Sequence, residues 1–216
     1  NNISTTPTVG NHTYIITSVV DSEGCINQNN IPPQDIYVNP LPDIDITIAP
    51  NPICFGQNST LQFEPPLGTP PCVVDYFEGS IASSVNVGIG GLPVNISPGD
   101  TTTYTLSFIR DDKGCESILT DQETLIVNEI PEINTSYPPE LCEGELIEID
   151  VTFNAGLPPF DIDYIFNGTA TSTTINNQQG TLSFISTNPT NIEIQNITSN
   201  NCPNAVNESI AIDSLT

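Results

Sequence analysis

The chain has no Met and no Trp, a single His at position 12, and only two strong cations, Arg110 and Lys113, set against 26 Asp plus Glu in 216 residues. Without a cationic patch there is nothing to displace counterions from phosphates, so nucleic acid is excluded as a partner. One imidazole and no nucleophile motif leave only paired carboxylates as acid/base machinery. Asp43-Ile-Asp45 and Asp161-Ile-Asp163 do put two carboxylates on one face of a strand, but an outward polar face explains that alternation, and no enzyme is expected. No Cys-x-x-Cys occurs and His12 is remote from any cysteine pair, which argues against zinc. No apolar run is long enough to span a membrane, so membrane insertion is not expected. A sustained helical period is missing as well. The formal charge of −24 is read as solubility and mutual repulsion between molecules.

What is present is repetition. Tyr104 to Pro131 reads as a strand, an acidic turn ending in Gly-Cys, a second strand and a proline linker; Tyr14 to Pro42 and Ile192 to Leu215 repeat the pattern. Cys25, Cys115 and Cys202 thereby fall 90 and then 87 residues apart, the period of tandem sandwich modules. Other landmarks recur 88 residues apart: Cys54 and Cys142 in a turn before a strand, and Tyr76 and Tyr164 in a Gly-x-x-Pro segment. IDITI alternates Ile44, Ile46 and Ile48 inward against Asp45 and Thr47, a half-buried strand. About seven short strands per module, punctuated by Pro, Gly and Asn turns, predict an all-β chain of tandem immunoglobulin-like sandwiches. The expected divisions are 1–40, the closing part of a module whose first half precedes Asn1, then modules at 43–130 and 131–216. Tyr104 stands where such folds place a tyrosine corner.

Six cysteines at repeating positions point to an oxidising compartment, hence a secreted, cell-surface location. The second complete module holds only Cys142 and Cys202, so a bridge inside it joins those two, and by the repeat Cys54 pairs with Cys115. Cys25 is left with a partner outside the chain. Cys72 replaces the Phe160 of the next module and reads as a buried, unpaired thiol. No metal site is expected and no cofactor. The nearest approach to one is calcium held at the module entry by Asp43, Asp45, Asp111 and Asp112, with Arg110 and Lys113 in the same turn to neutralise it. Asn-x-Ser/Thr occurs at eight asparagines from Asn2 to Asn207, a frequency that composition alone produces.

Taken together, Cys54-Phe-Gly56 and Cys142-Glu-Gly144, the Gly-x-x-Pro strand ending in Tyr76 or Tyr164, the Asp…Gly-Cys hairpin and the Val-Asn-Pro-Leu-Pro linker at 38–42 resemble the tandem immunoglobulin-like repeats of giant Bacteroidota surface adhesins of the SprB gliding-motility type. The resemblance covers nearly the whole chain. It implies a type IX secretion substrate, an exposed filament and a structural stalk that supports attachment or gliding. Its partners would be neighbouring modules, other copies in a fibre, and a polysaccharide or substratum met by a distal tip. Asp100-Thr101 and Asp213-Ser214 resemble the O-glycosylation acceptor of those bacteria. The alternative function is a glycan- or protein-binding sandwich, stabilised by calcium. Cys72, Asn201 in place of the hairpin glycine, and the absence of a Pro-Leu-Pro exit after the second module depart from the pattern.

Overall fold

The computed structural model describes residues 4–28, 31–138, 140–142, 144–185 and 190–215, with backbone only at 140, 141 and 205–215. Among the described residues every regular element is a strand. The leading segment carries β1 (Gly10–Tyr14), β2 (Val19–Val20), β3 (Ile26–Asn27) and β4 (Gln34–Val38), with β1 antiparallel to β4 and β2 to β3. The first complete repeat follows as β5 (Ile46–Ala49), β6 (Ile53–Cys54), β7 (Ser59–Phe63), β8 (Cys72–Glu78), β9 (Ile81–Val87), β10 (Leu92–Ile96), β11 (Thr102–Arg110), β12 (Glu116–Ile118), β13 (Gln122–Leu125) and β14 (Val127–Asn128). The second repeat has β15 (Glu132–Ser136), β16 (Glu140–Cys142), β17 (Leu146–Ala155), β18 (Phe160–Phe166), β19 (Thr169–Ile175), β20 (Gln179–Ile185), β21 (Thr190–Ser199) and β22 (Cys202–Leu215).

The two repeats share one plan. The second has a sheet β15-β17-β20 and a sheet β16-β22-β21-β18-β19, and the first has β10-β7-β5 with β12-β11-β8-β9, its closing strand broken into β12, β13 and β14. In each, the short strand carrying the first cysteine runs parallel to the closing strand: Ile53 and Cys54 beside Val127 and Asn128, Glu140 to Cys142 beside Asp213 to Leu215. The neighbouring strands β5–β7, β8–β9, β8–β11, β11–β12, β15–β17, β17–β20, β18–β19, β18–β21 and β21–β22 pair antiparallel. Two sheets packed face to face in this order make an immunoglobulin-like β-sandwich.

Period-two patterning explains which faces meet. Along β17, Ile147, Ile149, Val151 and Phe153 are buried while Glu148 and Asp150 are exposed. They join Phe160, Ile162, Ile192, Ile194 and Ile197 in one core, so the inner faces of both sheets close on each other. Phe153 stacks on Phe160 with ring centroids 3.7 Å apart. Full burial of one such side chain is worth about 1.5–3 kcal/mol. In the first repeat Phe63 and Tyr76 meet edge to face at 5.2 Å and bind the same two layers.

By contacts the chain divides into two compact units that cut across the repeats at 43–130 and 131–216. Unit 1 is Asn1–Ala49, Thr60–Asn95 and Thr103–Thr124; unit 2 is Pro50–Ser59, Ile96–Thr102 and Leu125–Thr216. The turn around Cys54 and the exit strand β14 thus belong to unit 2. Among the described residues no helix is long and apolar enough to cross a membrane.

Candidate functional site

Two small devices recur. The first is the hairpin turn. In Asp21-Ser-Glu-Gly-Cys25, Oδ1 of Asp21 accepts the amides of Glu23 at 3.0 Å and Cys25 at 2.9 Å. In Asp111-Asp-Lys-Gly-Cys115, Oδ1 of Asp111 accepts those of Lys113 at 3.0 Å and Cys115 at 2.8 Å. The backbone N–H of each Asp donates to its Cys carbonyl, and the Gly N–H returns to the Asp carbonyl. An aspartate at the first turn position mimics a backbone acceptor, and the glycine supplies the left-handed residue.

Asp111 goes further. Its Oδ2 accepts the amide of Thr69 at 3.1 Å, and the residue is 4% exposed. Burial by itself would raise its pKa, but the amides of Cys115, Thr69, Lys113 and Gly114 outweigh that and hold the carboxyl below its ordinary value. The second repeat places Ser199 at the corresponding position. Its Oγ accepts the amide of Leu157 at 2.9 Å and donates to the Leu157 carbonyl at 2.6 Å. Asn200 and Asn201 then turn the chain at φ 49° and 62°, the two left-handed residues of a tight hairpin. Gly68 and Gly156, both at positive φ, let each strand approach that anchor: a Cβ would lie 3.2 Å from Oδ2 of Asp111 or 3.0 Å from Oγ of Ser199.

The second device is the Cys-x-Gly turn. The Cys54 amide donates to Oε1 of Gln57 at 3.0 Å while Gln57 N donates to the Cys54 carbonyl at 3.0 Å. Cys142 and Glu145 repeat this, at 3.0 Å to Oε2 and 3.1 Å for the return bond. Around Cys54 the turn is tied to the exit strand, with Ile53 N on the Ile126 carbonyl at 3.0 Å and Phe55 N on the Asn128 carbonyl at 2.8 Å.

These devices meet in unit 2, and the cysteine pairing expected above is corrected there. Cys54 does not bond Cys115, nor Cys142 Cys202. The disulfide joins Cys54 to Cys202, with Cα atoms 5.6 Å apart at a sequence separation of 148. The physical reason is the parallel pairing of β6 with β14. It ties Cys54 to the exit strand of its repeat within unit 2, whereas the β11–β12 hairpin that holds Cys115 belongs to unit 1. Oδ1 of Asn51 accepting the Ile126 amide at 3.0 Å and Nδ2 of Asn128 donating to the Asn200 carbonyl at 3.4 Å hold the surroundings of the bridge. Cys25 is an exposed thiol, Cys115 a half-buried one, and Cys72 a buried one. Cys142 is exposed in β16. Burial, and secondarily the charge of Asp111, push the Cys72 thiol up, which keeps it protonated and unreactive.

Two of the carboxylates expected at the module entry lie on one segment: the Asp43 carbonyl accepts Leu67 N at 2.8 Å, two residues from the Thr69 that Asp111 holds. Both oxygens of Asp111 are occupied by amides, Oδ1 of Asp43 accepts its neighbour Ile44 N at 3.0 Å, and Asp45 and Asp112 are exposed. Among the described residues no group of three His, Cys, Asp or Glu is placed to hold a metal ion. Arg110 pairs with Glu116 at 3.7 Å with both side chains exposed, worth at most about 1 kcal/mol. Oγ1 of Thr101 accepts the amide of Val127 at 3.1 Å. Asn2 and the side chains of Asn207 and Ser214 lie outside the described residues. Tyr104 is fully buried, yet its hydroxyl donates to Oε1 of Glu78 at 3.1 Å rather than to an upstream backbone group as a tyrosine corner would. Burial and the Glu78 carboxylate push its pKa up.

No family model matches the chain, and no curated protein does. Among solved structures it is similar to the human OSCAR ligand-binding domain (14% identity, TM-score 0.37, covering 81% of this chain and 99% of that one). It is similar also to the FN1–FN3 domains of chicken CNTN1 (14%, 0.33, 91% and 76%) and to trypsin-activated alpha-2-macroglobulin from Escherichia coli (10%, 0.30, 88% and 18%). At these TM-scores the likenesses carry no weight, and the immunoglobulin-like assignment stands on strand order and sheet pairing.

Proposed function

We propose that the chain is a structural segment of a secreted, cell-surface stalk or filament, one that transmits tension to a binding tip and supports surface attachment or gliding. The observation that carries this reading is the Cys54–Cys202 bond. Force applied to the two ends passes from residue 54 to residue 202 through the disulfide, so the intervening chain bears no load. A structural disulfide also fits an oxidising, extracellular setting, and turns whose polar groups are consumed by their own hydrogen bonds, as at Asp111 and Gln57, offer little to a ligand.

Single-molecule extension tests it. The oxidised chain should lengthen by no more than its roughly 70 unshielded residues allow, about 240 Å, against about 750 Å once reduced. Equal contour lengths in the two states would refute the mechanical reading. Saturable binding of the isolated chain on a glycan array or a coated surface would overturn the stalk in favour of a recognition module.

A further inference from the structure

We propose that Cys115 is a covalent docking site for the Cys-x-Gly turn of another repeat of this type, joined by the same linkage that connects Cys54 to Cys202. The bonded pair has one member from each device: Cys54 sits in the Cys-x-Gly turn of the first repeat, Cys202 in the closing hairpin of the second. Cys115 occupies in the first repeat the hairpin place that Cys202 occupies in the second. It is a thiol, half-buried, and its backbone is held in position by Asp111 through the 2.8 Å amide bond.

A second part of the junction is present in the same unit, reached through Gly68, whose Cβ would lie 3.2 Å from Oδ2 of Asp111. The bonded junction uses the linker Asn128-Glu-Ile-Pro131: the Asn128 carbonyl accepts Phe55 N at 2.8 Å, its side chain reaches the Asn200 carbonyl, and the Pro131 carbonyl accepts Nδ2 of Asn204 at 2.9 Å. The first repeat is entered by a linker of the same Asn-x-x-Pro form, Asn39-Pro-Leu-Pro42, and Pro42 is buried, its Cβ 3.1 Å from where a Cβ on Gly68 would sit. Linker and hairpin are thus both supplied, and the element that completes the pattern is a turn of the Ile-Cys-Phe-Gly-Gln kind. The occupant is accordingly a short polypeptide with a cysteine, a left-handed glycine and a following Gln or Glu, whose side chain folds the turn as Gln57 and Glu145 do.

The chemistry is ordinary. Two thiols form one S–S bond and release two protons and two electrons, which reduce a disulfide oxidant to two thiols. The assignment rests on the repeat geometry and does not depend on the stalk reading.

The test uses the full oxidised chain and a synthetic nonapeptide of the sequence 51–59, its cysteine activated as a 2-pyridyl disulfide. Attack by the Cys115 thiolate on the peptide sulfur forms the mixed disulfide and expels pyridine-2-thione. A scrambled peptide of the same composition serves as reference, and cleavage at acidic residues followed by mass spectrometry locates each adduct. The ordered peptide should modify Cys115 at least roughly tenfold faster than the scrambled one, because seating raises the local concentration of the reacting sulfur. The adduct should vanish in Cys115→Ser. Equal rates for the two peptides at Cys115, or no adduct there, would overturn the proposal.

Discussion

At the scale of single residues, Asp111 shows how one carboxylate can organise a turn. It is buried, and it accepts the amides of Thr69, Lys113 and Cys115, so its ionised form is held in place by three backbone donors. Because the folded pKa lies below the ordinary 3.8, the stabilisation is complete well above that value and is lost as the pH falls through it towards the lower folded value. Asp111→Asn puts an NH2 group among N–H donors and should lower the melting temperature at pH 7. The gap from the wild type should then close as the pH falls below 3.8. A gap that stays constant between pH 7 and acid would show that the carboxylate's charge contributes nothing to the fold.

At the scale of elements, β8 and β11 pair Glu78 directly with Tyr104, and β18 and β21 pair Phe166 with Ile192 at the corresponding place. The two solutions are exclusive. A buried phenol needs an acceptor and takes a carboxylate from the facing strand, whereas a buried isoleucine takes an aromatic ring. Tyr104→Ile and Glu78→Phe should each destabilise the first repeat, but the double variant recreates the pair of the second repeat. A double-mutant cycle followed by urea unfolding is expected to give a coupling of about 1 kcal/mol in favour of matched pairs. Strict additivity would mean that the hydroxyl–carboxylate bond adds nothing to the strand pair.

At the scale of the whole molecule the Cys54–Cys202 bond dominates. It closes a loop of 148 residues, for which the chain-entropy estimate is on the order of 5 kcal/mol, comparable with the entire stability of a small domain. Reduction, or the Cys54→Ser and Cys202→Ser pair, should therefore move the urea midpoint of the transition that includes unit 2 strongly downward, while Cys72→Ala leaves the bridge in place. An unchanged midpoint after reduction would show that the bond is spectator to folding.

The strands and the sandwich plan were legible in the sequence, because they follow from period-two patterning and from Pro, Gly and Asn punctuation, all of which are local. The alternation of Ile147, Ile149 and Val151 with Glu148 and Asp150 dictates a buried face whatever lies opposite it. The turn at Asp111 was visible as an acidic hairpin, although its contact with Thr69, 42 residues away, was not. Comparison with Ser199 could have exposed that contact, since both residues face a Gly-x-x-Pro segment. The disulfide was not legible. Spacing counts residues along the chain and treats each repeat as closed, whereas the partner of Cys54 was chosen by the parallel pairing of β6 with β14, a non-local hydrogen-bonded contact that brings its sulfur within bonding reach of Cys202 and leaves Cys115 to the other unit.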